Sequence, residues 1–339
     1  MKSTVLTTSG IKSLLLLTAL SLSPIAPSWA DDDVPQASRW QLPAVTYPAD
    51  NPYSESKFEL GKMLFFDPRI NREAVSCAQC HHPGMNWTND QARTQINGRI
   101  LPRHTPSLIN IAYNRSFFWD GRANTLESCI TQHFNGMDTS PAADDTVARI
   151  HLIKGYAPLF RKAFGKNDIS ASSIAAAIAT FVRSITVTDT AFDRWVQGDS
   201  TALTAAAKRG FALFTGKAGC MQCHSAPYFS DFAFHPTGTN SIDPGRFEIT
   251  GREEDRNAFR TPQLRQVAET APYMHTGLKN SLADVIHFYQ AGGDVRSQSL
   301  QLHAFELNQT ESNDLIAFLR SLSGTPIRVE IPILPKAND

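Results

Sequence analysis

The sequence predicts a mostly α-helical chain built twice from one plan. Three observations predict it. Cysteine is scarce, with 5 in 339 residues, yet four of the five fall in two matching patterns, Cys77-Ala78-Gln79-Cys80-His81 and Cys220-Met221-Gln222-Cys223-His224. Further matching segments recur downstream of each pattern, such as Thr105-Pro106 and Thr261-Pro262. Apolar residues recur at helical spacing, and no sustained alternation marks a large sheet, although short strands in loops are allowed.

C-x-x-C-H is the pattern of c-type haem attachment. Two thiols add across the vinyl groups of one porphyrin, and the adjacent His turns back onto its iron. Zinc knuckles and redox dithiols do not call for a His after each second Cys. The expectation is therefore two covalently bound haem c groups, attached at Cys77 and Cys80 and at Cys220 and Cys223, with His81 and His224 as proximal iron ligands. Cys129 is left over, so no disulfide framework is expected.

From the N-terminus, Lys2 and Lys12 lie upstream of the apolar run Leu14 to Leu22, and Ser28-Trp29-Ala30 is a small-x-small cleavage site. Residues 1–30 read as a secretory signal. The apolar run is short for a membrane span. The expected mature chain begins near Asp31, is soluble, has no membrane span and is periplasmic in a two-membrane bacterium. Export agrees with covalent haem attachment, which happens outside the bacterial cytoplasm. With Lys2 and Lys12 removed, 30 basic side chains face 32 acidic ones. No charge block suggests a nucleic-acid or anionic-lipid partner.

Two copies then follow. Gly61-Lys62-Met63-Leu64-Phe65 precedes the first haem motif, as Gly210-Phe211-Ala212-Leu213-Phe214 precedes the second. Thr105-Pro106-Ser107-Leu108 leads to Phe118-Trp119-Asp120-Gly121, and Thr261-Pro262-Gln263-Leu264 leads to Met274-His275-Thr276-Gly277, at an offset of 156 without a gap. The same offset pairs Asn124-Thr125-Leu126 with Asn280-Ser281-Leu282, and His133 with Tyr289. One copy per haem is the simplest account. Ala-rich Ser173 to Ile185 predicts a helix, and Ser281 to Gln290 a shorter one stopped by Gly292-Gly293. Leu315, Ile316, Leu319 and Leu322 predict a last helix, capped by Ser312 or Thr310 and ended by Gly324 and Pro326. Asp189 to Thr204 is the expected join. The predicted architecture is two cytochrome c-like haem domains, 31–190 and 191–339, related by internal duplication.

These residues resemble the bacterial diheme cytochrome c peroxidase and MauG family. The resemblance covers Ser54 to Ser323 and rests on Leu60-Gly61-x-x-Leu64-Phe65-Phe66-Asp67, both haem motifs, Phe118-Trp119-Asp120-Gly121-Arg122 and Thr270-Ala271-Pro272-Tyr273-Met274-His275. It implies an enzyme whose N-terminal haem meets hydrogen peroxide while the C-terminal haem relays electrons, with Trp119 between them. The electron donor is then a small cytochrome c or cupredoxin, or, in a MauG-like version, a protein side chain or small molecule. The family is often dimeric, and no surface in the sequence reads as that interface.

Several site residues follow from the resemblance. Tyr289 stands where the second haem takes its sixth ligand, Met in the peroxidases and Tyr in MauG. A phenolate favours ferric iron, which leans towards MauG. His133 stands where the family usually has Pro. It either binds the first iron, acts as a distal base, or is structural. The usual Gln of this segment is replaced by Cys129, read as a buried inert thiol. Asp138 is the candidate for the family's acid-base Glu, if one residue is deleted; otherwise it caps a helix or is exposed. Thr270 and Pro272 match carbonyl ligands of the family's calcium. His104 replaces its Asn, and imidazole suits calcium poorly. His275 is expected near the second haem, and Arg103 and Arg122 at haem propionates. The rival expectation is a non-catalytic diheme electron carrier with both irons six-coordinate.

Overall fold

The computed structural model describes residues 1, 37–134, 143–165, 168–236, 238–239, 241–293 and 302–337. The expected signal segment 1–30 and Asp138 lie outside them, apart from Met1. Among the described residues the helices are α1 (Ala37–Trp40), α2 (Glu55–Phe66), α3 (Cys77–Cys80), α4 (Leu126–Phe134), α5 (Ala143–Leu152) and α6 (Tyr156–Phe164). They continue as α7 (Ala171–Arg183), α8 (Ala191–Val196), α9 (Ala205–Thr215), α10 (Phe247–Thr250), α11 (Leu282–Gln290) and α12 (Gln309–Ser321). Two antiparallel ribbons complete the fold, β1 (Gln95–Ile96) with β2 (Arg99–Ile100), and β3 (Phe234–Pro236) with β4 (Ala258–Arg260). The mostly helical expectation and its allowance for short strands hold. No helix among the described residues is long and apolar enough to cross a membrane.

The duplication is visible in the backbone. Helices α4 and α11 each span nine residues, at the 156 offset. Isolated bridges Phe117–Ala123 and Tyr273–Lys279 repeat at that offset, as do the 3-10 turns Ile111–Tyr113 and Val267–Glu269. Left-handed residues repeat too: Asn110 (φ 58°) with Gln266 (63°), and Phe118 (64°) with Met274 (70°).

Each copy centres on a pair of crossing helices, α2 with α7 and α9 with α12. The glycine of each G-x-x-L-F segment explains the close approach. A Cβ on Gly61 would sit 1.9 Å from the Ala177 carbonyl oxygen, and one on Gly210 would sit 1.9 Å from that of Asp314. Phe65 and Phe181 fill the first core, and Phe192, Phe214 and Phe318 the second. Burying each such ring is worth about 1.5–3 kcal/mol.

The chain ends cross between the cores. Trp40, ahead of the first copy, packs on Phe192, Phe211 and Phe229 of the second core. Ile327 and Val329, beyond the second copy, pack on the first core.

The last helix starts a turn earlier than expected. Its cap is Asn308, not Ser312 or Thr310: the Asn308 side chain accepts from the Glu311 N–H, while the Glu311 carboxylate accepts from the Asn308 N–H. This reciprocal capping box outcompetes the lone hydroxyls downstream.

Candidate haem sites

The two C-x-x-C-H segments form tight turns, α3 in the first copy and the 3-10 turn Cys220–Gln222 in the second. A backbone bond from His81 to the Cys77 carbonyl (2.9 Å), and its twin from His224 to Cys220 (2.9 Å), brings each His back over its cysteines. Each imidazole is then fixed by a main-chain carbonyl. His81 Nδ1 meets the Trp87 oxygen at 3.2 Å, and His224 Nδ1 meets the Phe229 oxygen at 2.9 Å. The carbonyls of Pro106 and Pro262, from the repeated Thr-Pro segments, add to this polar environment. With Nδ1 facing a carbonyl, Nε2 is the nitrogen left for a metal. Burial holds both imidazoles below their ordinary range, His81 down to about 4.

Opposite the cysteines stand the two helices of the duplication. His133 on α4 is close enough to His81 to feel its charge, and burial lowers it to about 4, with His81 and Arg122 contributing. Its ring is nevertheless accessible, so it lines an internal crevice. Phe118 lies against it, ring centres 5.1 Å apart, and the Arg122 guanidinium lies 3.8 Å from the centre of the Phe118 ring. In the second copy burial raises the Tyr289 phenol, and Cys223 and Cys220 raise it further. Tyr289 therefore lies within electrostatic reach of the second cysteine pair, as His133 does of His81. Paired thiols, an imidazole fixed at Nδ1 and an enclosed but accessible crevice are the donor set and shape that haem c requires.

Trp119 lies at the seam between the copies. Its indole N–H donates to the His104 carbonyl at 2.8 Å, and its own carbonyl accepts from the Arg260 N–H at 2.8 Å. His275 packs edge-on against it at 6.4 Å and stacks on Phe259 at 3.7 Å. The His275 carbonyl also accepts from the His104 N–H at 2.8 Å. The seam thus joins the W-D-G-R segment of one copy to the Tyr-Met-His segment of the other.

The remaining expected residues sit around this seam and its turns. Arg103 bonds through Nη1 to Asp120 and through Nε and Nη2 to Asp243 (2.7 and 2.8 Å), so two edges of its guanidinium are taken by protein carboxylates. Arg122 shares Asp120 at 2.7 Å. Cys129 is buried, and burial pushes its thiol up to about 12. Thr270 closes the turn Val267–Glu269, and Pro272 follows a cis peptide. Both ring nitrogens of His104 are engaged, Nδ1 with the Gln91 carbonyl (2.9 Å) and Nε2 with Thr88 Oγ1 (3.3 Å). It offers no oxygen to a cation.

Sequence reasoning missed Phe118 as a wall of the His133 crevice, and it missed Arg246 and Arg260 at the seam. The repeat offered one signal, since Phe118 and Met274 share a left-handed backbone. Cys223, Asp231 and His235 also cluster with ligand atoms within 4.8 Å. Haem attachment at Cys223 would leave only the His235–Asp231 pair (2.7 Å) of this cluster.

Comparison with known proteins places this geometry. A family profile described as di-haem cytochrome c peroxidase matches residues 55–201. The chain is 43% identical to the methylamine utilization protein MauG of Methylorubrum extorquens, covering 88% of this chain and 87% of that one. It is 33% identical to a cytochrome c551 peroxidase of Nitrosomonas europaea, covering 97% of each. Among solved structures, a MauG-like protein associated with microbial copper homeostasis superposes with a TM-score of 0.74 at 31% identity, covering 84% of this chain and 95% of that one.

Proposed function

The chain belongs to the di-haem cytochrome c peroxidase and MauG family of oxidoreductases, and from that premise we propose that it reduces hydrogen peroxide in its N-terminal half, drawing electrons through its C-terminal half in a MauG-like manner. Two haem c groups belong to the family. Each, when bound, supplies an iron that meets peroxide if its sixth position is open and moves electrons if it is filled.

The chain's own residues carry the rest. His81 and His224 offer Nε2 to iron, since a carbonyl holds each Nδ1. His133, kept neutral by burial, takes a proton from hydrogen peroxide and returns it to the leaving oxygen. Phe118 holds its ring in place. Trp119 divides the electron's path between the halves into two shorter steps. The halves are 31–190 and 191–339, preceded by a cleaved signal at 1–30 and working in the periplasm. Asp138 is a further acid-base candidate.

Tyr289 carries the MauG-like reading. A phenol, not a thioether, lies near Cys220 and Cys223; bound to iron it would give up its proton, and an anionic oxygen donor disfavours the ferrous state that a small donor protein would have to generate. The oxidised substrate is then a protein side chain or a small organic molecule. Steady-state turnover with reduced cytochrome c tests this. Slow turnover that rises in Tyr289→Met fits it, and rapid turnover by the unaltered protein argues for a cytochrome c peroxidase. Calcium, if held near Thr270 and Pro272, is held by carbonyls and water. The second reading, an electron carrier, draws on the nearness of His133 to His81: bound there, His133 would close the first iron.

A further inference from the structure

Four guanidinium groups converge at the seam with two carboxylates. Arg103 and Arg122 share Asp120, Arg103 also holds Asp243, and Arg246 donates to the Asp120 main-chain carbonyl at 3.0 Å. Arg260 is the fourth. It is 7% exposed, its Nη1 reaches only the Thr261 carbonyl (3.2 Å), and its Nε has no partner. Arg122 Nε is likewise buried and unpartnered. A buried guanidinium without an anion is destabilising, so this surplus of positive charge calls for one.

Arg260 lies within electrostatic reach of Cys129 on α4, one helical turn before His133. That thiol is protonated at neutral pH, because burial outweighs the pull of Arg122 and Arg260. It is not the anion. Asp120 and Asp243 are already committed to Arg103 and Arg122. The Arg260 backbone belongs to the second copy, on β4, where its N–H donates to the Trp119 carbonyl of the first, and its charge is felt by Cys129 on the distal helix of the first. The chemistry to be met is a carboxylate presented in the first crevice, and a guanidinium holds a carboxylate with two parallel bonds.

We propose that Arg260, contributed by the C-terminal half, holds a propionate of the N-terminal haem together with Arg122, and so raises that haem's reduction potential from across the seam. This rests on the two-haem reading above. Arg260 is a positioning residue that reaches the reaction through the haem. Its main-chain bond to the Trp119 carbonyl ties the same strand to the residue between the halves. One ion contact would then register the first haem against both.

The test is an EPR-monitored redox titration of the haem-loaded protein, which follows each haem by its own ferric signal, alongside the haem-to-protein ratio. In Arg260→Met the first haem's midpoint falls and the second haem's does not move. Arg260→Lys, which keeps the charge, stays near the parent. If the Met variant does not load haem, Arg260→Gln is titrated in its place, with the same fall expected. An unchanged first midpoint, a fall confined to the second haem, or an equal fall in the Lys variant overturns the proposal. A ratio below two haems per chain in the parent protein would instead overturn the two-haem reading itself.

Discussion

The imidazole of His133 lies against the ring of Phe118, centre to centre 5.1 Å, in the crevice that His81 also lines. Phe118 can take this position because its backbone is left-handed (φ 64°), a conformation uncommon outside glycine and costing about 1 kcal/mol or more. Adjacent residues, Phe118 and Trp119, therefore supply the wall that orients His133 and the seam residue.

If His133 is the proton carrier, His133→Gly lowers peroxide turnover by about 100-fold or more, the scale of positioned acid-base groups. Phe118→Ala produces a smaller loss in the same rate, by freeing the ring. Stopped-flow reaction with peroxide reads both. Gain of reactivity in His133→Gly would mean that His133 had been closing the first iron.

The paired glycines give a prediction about stability. Gly61→Ala and Gly210→Ala each drive a methyl group into a backbone oxygen at 1.9 Å. The neighbour is main chain and cannot step aside, so the helices must separate. Each substitution is expected to cost at least about 1–3 kcal/mol, read as a lower melting temperature of the haem-loaded protein. The conservative change Gly61→Ser should do no better.

The crossing of the chain ends gives another. Ending the chain after Gly324 removes Ile327 and Val329 from the first core, and with them the bonds from the Lys154 and Gly155 N–H groups to the Ala337 and Lys336 carbonyls (3.3 and 3.4 Å). The loss of apolar packing is worth about 2–4 kcal/mol for two partly buried aliphatic side chains. Limited proteolysis should find the first half loosened and the second half little changed.

Much of this was legible in the sequence, because the informative signals were local. Two C-x-x-C-H segments, the repeated Thr-Pro turns and the run pairing Asn124 with Asn280 specify turns and helices within a few residues. The structure lays out α4 and α11 at the same 156-residue offset. What was not legible joins residues far apart in the chain. The bond of Arg103 to Asp243, 140 residues away, has no local signal. No motif singles out Arg260, and only the fold brings its charge within reach of Cys129 on α4. Trp40 carries no periodic pattern, yet it enters the second core. Cap competition is subtler: Asn308 beats Thr310 and Ser312 because Glu311 stands three residues after it and answers its N–H.

The most direct test of the central claim, one haem open to peroxide and one closed by Tyr289, is low-temperature EPR of the fully oxidised, haem-loaded protein. The account predicts a high-spin ferric signal from the His81 haem beside a low-spin signal from the His224 haem, the latter changed in Tyr289→Phe. Two low-spin signals would contradict it. They would mean that both irons are capped, with His133 on the first, and that the resting protein is an electron carrier or an enzyme that reduction must first open.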